Sequence, residues 1–336
     1  DLSAVRQFMD DAKLGEGTLA DVAALSGGTQ NIMIRFERSG RGYVLRRGPL
    51  HLRPHTNRAF AREMRVLQAL AQTPVPHPGF ISGCDDPTVL GGALFYLMEP
   101  VDGFNPIDGL PDAYASAPVR RAAVLAAVDA LASFAALEPA SVGLDDIGSP
   151  AGFVERQVDR WLGDLAKYQQ FERYRGQLVD GVDEVAAWLR RHQPTAWKAG
   201  LMHGDFHLAN VMFCRDKPQV AAIVDWEMCT QGDPLLDLGW LIATGPDADG
   251  ESLLENPLYE IDLGLTQNDI VQRYAAGSDR DLSDIDWYVV LACFKLGIVL
   301  EGTYARSLDG LAPVETGQRL HHHCRLLIDR ALRTVR

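Results

Sequence analysis

Long apolar runs are missing from this chain. Its most hydrophobic stretches, such as 289–300, are short and broken by a charge, here Lys295, whereas a membrane span needs about 20 consecutive apolar residues. The sequence opens on Asp1 without the basic-then-apolar pattern of a secretory signal. A cytoplasmic protein that does not enter a membrane is expected. Cysteine is scarce and odd in number: five, at positions 84, 214, 229, 293 and 324, with no C-x-x-C pair. Zinc spacing and a disulfide framework are both excluded, and a reducing compartment is the simplest setting. Positive charge is also short. There are 32 Lys and Arg against 45 Asp and Glu, a formal net charge of −13. Non-specific nucleic-acid binding, which needs clustered cations, is a poor fit. Internal repeats and low-complexity tracts are absent too. What remains is an ordinary globular composition, 47% apolar and 23% charged over 336 residues. That length allows about two domains and a substantial core.

The charge is uneven. Residues 1–100 carry 11 basic and 10 acidic side chains, and the rest carry 21 and 35. The secondary-structure signals change at the same place. Val22–Leu25, Ile32–Phe36 and Tyr43–Leu45 are short β-rich runs, separated by turns at Gly27-Gly28 and Ser39–Gly42. Phe60, Met64, Leu67 and Leu70 share one face of a helix over 58–72, with Glu63 beside it. Leu94–Met98 is a further strand. After residue 112 the pattern turns helical, over 118–137, 151–171, 176–193 and 316–334. A helix opens at Asp233-Pro234, and Ser283 caps another. A hairpin, Asn210–Cys214 and Val220–Trp226, interrupts the helices. Strands first and helices later predict an α+β protein with a small β-rich N-lobe and a larger helical C-lobe.

The densest chemistry lies in 203–237. It begins His203-Gly-Asp205-Phe-His207-Leu-Ala-Asn210, continues with Val224-Asp225-Trp-Glu227 and ends Gly232-Asp-Pro-Leu-Leu-Asp237. Asp205 and Asn210 bracket a loop that runs into the first hairpin strand. Asp225 ends the second strand, so the hairpin returns it to Asn210. A carboxylate and an amide oxygen then converge, which suits Mg²⁺, a hard ion held by few protein oxygens plus phosphate oxygens. Asp205 stays free to orient a hydroxyl. His203, Asp205 and Asn210 match the H-x-D-x-x-x-x-N loop of kinases, with a downstream metal-binding Asp. Gly204 stands where protein kinases have Arg.

Together these segments resemble the aminoglycoside phosphotransferase/choline kinase superfamily of small-molecule kinases. The likeness continues upstream. Tyr43-Val-Leu-Arg-Arg47 resembles the third N-lobe strand, Arg62-Glu-Met-Arg-Val-Leu67 the helix whose Glu pairs with that strand, and Phe95–Gly103 the interlobe hinge. The resemblance implies a two-lobed protein-kinase-like fold: an N-lobe over 1–98, a hinge over 99–103 and a C-lobe over 104–336. It implies ATP and Mg²⁺ as cofactors and a small-molecule hydroxyl as acceptor. In this likeness Asp205 is the catalytic base, and Asn210 and Asp225 hold the metal. Arg46 takes the phosphate-binding position usually filled by Lys, with Glu63 as its partner. Gly27, Gly28 and Thr29 belong to a phosphate-covering turn, and the backbone of Glu99 and Val101 meets adenine. His203, His207, Glu227 and Asp237 are supporting residues, Asp237 bracing the catalytic loop.

Two departures stand out. Arg46 is not Lys, though guanidinium also grips phosphate, and the turn at 26–31 is not G-x-G-x-x-G. Arg46 is the one feature favouring an inactive nucleotide-binding module. A protein kinase is disfavoured because no activation-loop-length segment separates Asp225 from Asp233. His321-His-His-Cys324 reads as helix surface, since consecutive helical residues diverge by about 100°.

The acceptor is less legible. Aminoglycosides are polycations and call for an acidic site. Yet the last helix carries five Arg against one Asp over 316–336, and the segment 151–175 carries Arg156, Arg160, Lys167, Arg173 and Arg175. If either faces the cleft, an anionic acceptor is favoured. The Tyr43–Arg47, Arg53-Pro-His55 and Asp225–Pro234 segments resemble the phosphotransferase domains fused to acyl-CoA dehydrogenases. That branch implies a hydroxyacyl-CoA acceptor, with an aminoglycoside or other alcohol as the alternative.

Overall fold

The computed structural model describes residues 1–25, 31–174, 179–247 and 256–336. Chain order begins with α1 (Leu2–Asp11), then β1 (Ala20–Ala24), β2 (Ile32–Arg38) and β3 (Arg41–Arg47). Helix α2 (Thr56–Leu70) precedes β4 (Phe80–Cys84) and β5 (Phe95–Met98). These five strands form one antiparallel sheet in the order β1-β2-β3-β5-β4.

Period-two alternation in β3 decides what covers each face of the sheet. Val44 faces α2 and packs with Phe60, Met64, Tyr96 and Met98. Tyr43 and Leu45 face the other way, into a small core with Phe36, Phe95, Leu97 and the Val5 and Met9 of α1. The α1 helix was not anticipated. Its start is fixed by Asp1, whose carboxylate accepts the Ser3 and Ala4 N–H groups. The buried Arg38 pairs with Asp10 and ties α1 to the sheet.

The remainder is mostly helical: α3 (Ala117–Ala135), α4 (Gln157–Lys167), α5 (Val182–Arg191), α6 (Leu235–Thr244), α7 (Gln267–Ala276), α8 (Ile285–Leu308) and α9 (Val314–Val335). Four short strands lie between α5 and α6. These are β6 (Gly200–Met202), β7 (Val211–Phe213), β8 (Val220–Ile223) and β9 (Thr230–Gly232), paired β6–β9 and β7–β8. Every residue of α6 is buried, so it is enclosed all round rather than striped, as a central helix must be. It lies against α8 closely enough that a Cβ on Gly239 would sit 2.6 Å from the Tyr288 carbonyl oxygen.

Several expected boundaries shift. The helix expected over 151–171 is α4 alone, followed by a single 3₁₀ turn at Tyr168–Gln170. Ser283 does not cap α8; Asp284 occupies that position. β3 is an interior strand, and Arg47 folds back onto the carbonyls of Gly48 and Pro49.

Candidate active site

The β7–β8 hairpin sets the geometry. Val211 pairs with Ile223, and the Val224 N–H donates to the Asn210 carbonyl at 2.9 Å. Asp225 therefore emerges beside Asn210. It adopts a left-handed backbone, φ 67°, an uncommon conformation for a non-glycine residue that costs about 1–3 kcal/mol and clusters at functional sites. The Phe104 and Phe213 backbones exchange two 2.9 Å hydrogen bonds. They tie the segment after residues 99–103 directly to the hairpin.

The loop from His203 to Asn210 is held from beneath. Asp237 on α6 accepts the N–H groups of His203 at 2.6 Å and Gly204 at 2.9 Å. Burial pushes the Asp237 carboxyl up to about 7, although those two N–H groups oppose the rise. Gly204 has φ +87°, and a Cβ there would meet the Met228 carbonyl oxygen at 2.6 Å. That crowding excludes the Arg found here in protein kinases. His203 is fully buried, which lowers its pKa. Its Nε2–H donates to Val224 O at 2.9 Å, and its Nδ1 accepts the Asp205 N–H at 3.3 Å. One imidazole thus couples the loop to the hairpin.

Asp205 Oδ1 accepts the Trp240 indole N–H at 3.1 Å, and Oδ2 accepts the Asn210 amide at 3.2 Å. His207 Nε2 lies 3.5 Å from Oδ2. Burial pushes the Asp205 carboxyl up, but His207, His203 and Lys295 outweigh it and hold it well below the usual carboxylate range. Asn210 spends its NH₂ on Asp205. Its side-chain oxygen is left as an acceptor on the cleft that Asp225 also lines.

Across the cleft, Arg46 of β3 meets two carboxylates: Glu63 at 3.4 Å and Asp225 at 2.7 Å. Burial would discharge this guanidinium, but Glu63 and Asp225 more than reverse that. Glu63 is itself buried, which pushes it up to about 7 against the pull of Arg46. Its other oxygen accepts the Trp226 N–H at 3.2 Å. Glu227 lines the same cleft, pushed up by burial and by Asp225. The cleft encloses about 950 Å³ between sheet and helices, and Glu99 and Val101 form part of its wall. Gly27, Gly28 and Thr29 lie outside the described residues.

Lys295 of α8 was missed as a site residue. Its Nζ donates to Gly204 O at 3.2 Å and lies 4.3 Å from the Trp240 ring centre. The signal was available: a lone lysine in an otherwise apolar helical run. His321, by contrast, belongs to helix packing. Its Nδ1 lies 2.7 Å from the buried Glu301 carboxylate and its ring stacks on Tyr304.

A paired-lobe cleft, a braced H-G-D loop and a hairpin-borne Asp define a kinase-like phosphotransferase. Comparison with known proteins gives the same answer. The APH phosphotransferase enzyme family matches residues 21–258, and the chain belongs to that family. Acyl-CoA dehydrogenase family member 11 of Gallus gallus is 27% identical over 93% of this chain and 40% of its own length. Family member 10 of Mus musculus is 27% identical over 87% of this chain and 27% of its own. The chain thus spans less than half of these curated relatives. Among solved structures, a provisionally named aminoglycoside phosphotransferase of Ralstonia eutropha superposes with a TM-score of 0.80 at 26% identity, covering 99% of this chain and 98% of that one. Aminoglycoside phosphotransferase APH(4)-Ia, solved with AMP-PNP and hygromycin B, has a TM-score of 0.63 at 14% identity, with 98% of each chain covered; it shares the fold.

Proposed function

We propose that this protein transfers the γ-phosphoryl group of ATP to a hydroxyl of a small, anionic acceptor, with a hydroxyacyl-CoA-like alcohol as the leading class. The observation that carries the reading is the meeting of Asp205, Asn210 and Asp225 around one loop and one hairpin, opposite Arg46. A structural loop has no need of that set. The nucleotide would lie in the cleft between residues 1–98 and 104–336, its adenine against the backbone of Glu99 and Val101. Gly27, Gly28 and Thr29 would cover its phosphates.

The donor set fits Mg²⁺. The free oxygens of Asn210 and Asp225 are hard ligands, and they are few, as this ion prefers when phosphates supply the rest. When bound, the ion would offset phosphate charge. Arg46 would move from Asp225 toward the phosphates, with Glu63 keeping it in place. Asp205 would accept a hydrogen bond from the acceptor hydroxyl and aim its oxygen at the γ-phosphorus. The new O–P bond forms as the bond to the β-phosphate oxygen breaks, ADP departs, and the hydroxyl proton passes to Asp205. A carboxylate held this far down is a weak base, so its work is mainly orientation. His203, His207, Glu227 and Asp237 keep the loop and the carboxylates in place. The free cysteines agree with a cytoplasmic setting.

The test is ADP release with Mg-ATP against hydroxyacyl-CoAs, aminoglycosides, choline and sugars. Asp205→Asn is expected to lower turnover about 10²–10⁴-fold while Mg-ATP still raises the melting temperature. Asp225→Ala is expected to lose the Mg-ATP shift as well. Collapse of ATP binding in Asp205→Asn would overturn the assigned roles. The second reading, an aminoglycoside kinase, is favoured by the Ralstonia eutropha likeness. Turnover of kanamycin-like polycations in preference to acyl-CoAs would decide for it.

A further inference from the structure

Two basic segments were candidates to face the acceptor, and the structure separates them. Three of the five arginines over 316–336 are taken by other partners. Arg330 donates to the carbonyls of Ala243, Gly245 and Pro246. Arg333 pairs with Asp247 and Arg336 with Glu184. Most cations near α4 are also engaged. Arg156 caps the carbonyls of Ser149 and Ala151, Lys167 pairs with Asp164, and Arg173 donates to Leu308 O.

Arg160, like Arg319 and Arg325 of α9, has no such partner. It is exposed, and its guanidinium forms no hydrogen bond or ion pair among the described residues. It lies 5.0 Å from the ring centre of Trp161. Lys295 lies 5.6 Å from the same ring. The two cations therefore share one indole, and Lys295 reaches Gly204 O, one residue from Asp205. Trp240 completes the row, touching Lys295 with its ring face and Asp205 with its N–H. The nearest acid on the helix, Asp159, is taken by Arg190. No described acid pairs with Arg160, and burial of Lys295 already disfavours its charge.

We infer that Arg160 and Lys295, both set against the Trp161 ring, form the anion subsite of the acceptor pocket. It would grip a phosphate or carboxylate carried by the alcohol whose hydroxyl meets Asp205. The inference rests on the kinase reading and adds to it the residues that select the acceptor's charge. Guanidinium suits both anions, because its planar fork binds two oxygens at once. The same subsite would repel an aminoglycoside, so it discriminates as well as binds.

Binding of two probes, 4-hydroxybutyryl-CoA and free 4-hydroxybutyrate, would be measured by calorimetry in the presence of Mg-AMP-PNP, with kanamycin as the cationic control. Wild type is expected to bind at least one anionic probe. Arg160→Met is expected to weaken it about 10-fold, and Arg160→Glu further, since a charge-assisted hydrogen bond to the anion is lost. Preference for the CoA thioester places the gripped anion on the CoA phosphates; preference for the free acid places it on a carboxylate near the hydroxyl. Equal binding by wild type and Arg160→Met overturns the inference, as does binding of kanamycin with neither anionic probe, or of no probe at all. Arg160 is exposed, so loss of folding is not expected, and the Mg-ATP melting shift monitors the nucleotide site separately. If that shift is absent in wild type, the kinase reading fails, whatever the anions do.

Discussion

Arg46 bridges Glu63 and Asp225, two carboxylates that come from a helix and from a hairpin far along the chain. Its own exposure is 7% and that of Glu63 is 1%. At such depth each charge depends on the other, because an unpaired buried ion is far costlier than the pair. Arg46→Met should therefore destabilise the protein by about 3–5 kcal/mol. Adding Glu63→Leu should recover much of that loss. A double-mutant cycle by urea denaturation reads the coupling directly, and additive losses would show that the two residues act independently. The sequence places Glu63 beside the apolar face of its helix; its burial against Trp226 follows only from the folded arrangement.

Among the elements, α6 does two jobs. It carries Asp237 and Trp240 to the catalytic loop, and it packs on α8 through Gly239. A methyl at Gly239 meets backbone, which cannot rotate away, so the helix itself must shift. Gly239→Ala should cost about 1–3 kcal/mol and lower turnover at the same time, since Asp205 loses its aligned partners. Gly163 on α4 is the contrasting case, because a Cβ there meets nothing within 4 Å. Gly163→Ala should raise stability by up to about 1 kcal/mol through helix propensity alone. Thermal melts and ADP release on both variants test the pair; a turnover loss in Gly163→Ala would break the argument. The long elements were legible because periodicity and caps mark them: α2, α3, α9 and the β7–β8 hairpin all stand within a few residues of their expected places. Missed were α1, α7, β4, β6 and β9, whose segments are short, or weakly patterned, or paired with strands distant in sequence.

For the molecule as a whole, the buried Lys295 links stability to pH. Burial brings its ammonium down to about 8, with Asp237 and Asp205 opposing the fall and Arg160 adding to it. The unfolded chain titrates at about 10.4, so between about pH 8 and 10 it binds more protons than the folded protein at this site. Stability contributed by Lys295 then rises with pH across that window. Buried groups such as Cys293 and Tyr288, pushed up by burial, work in the opposite direction there. The informative quantity is thus the difference between wild type and Lys295→Met. Urea midpoints from pH 7 to 10 should converge toward wild type's favour as pH rises; a pH-independent difference would mean that Lys295 titrates as an ordinary lysine. The same loss of charge should raise the KM for an anionic acceptor above about pH 8.

The sequence by itself determined the change from strands to helices, the loop and hairpin of 203–237, and the spacing that lets Asp205, Asn210 and Asp225 meet. These depend on contacts between near neighbours in the chain, which turns, caps and alternation encode. Only the tertiary structure decided that Lys295 of α8 reaches the Gly204 carbonyl, and that Arg330 and Arg333 of α9 are taken by other partners. Those facts depend on how helices rotate and pack against one another across separations of 86 to 91 residues along the chain. A list of charges along a helix does not fix that rotation; the shape of the apolar faces that meet in the core does.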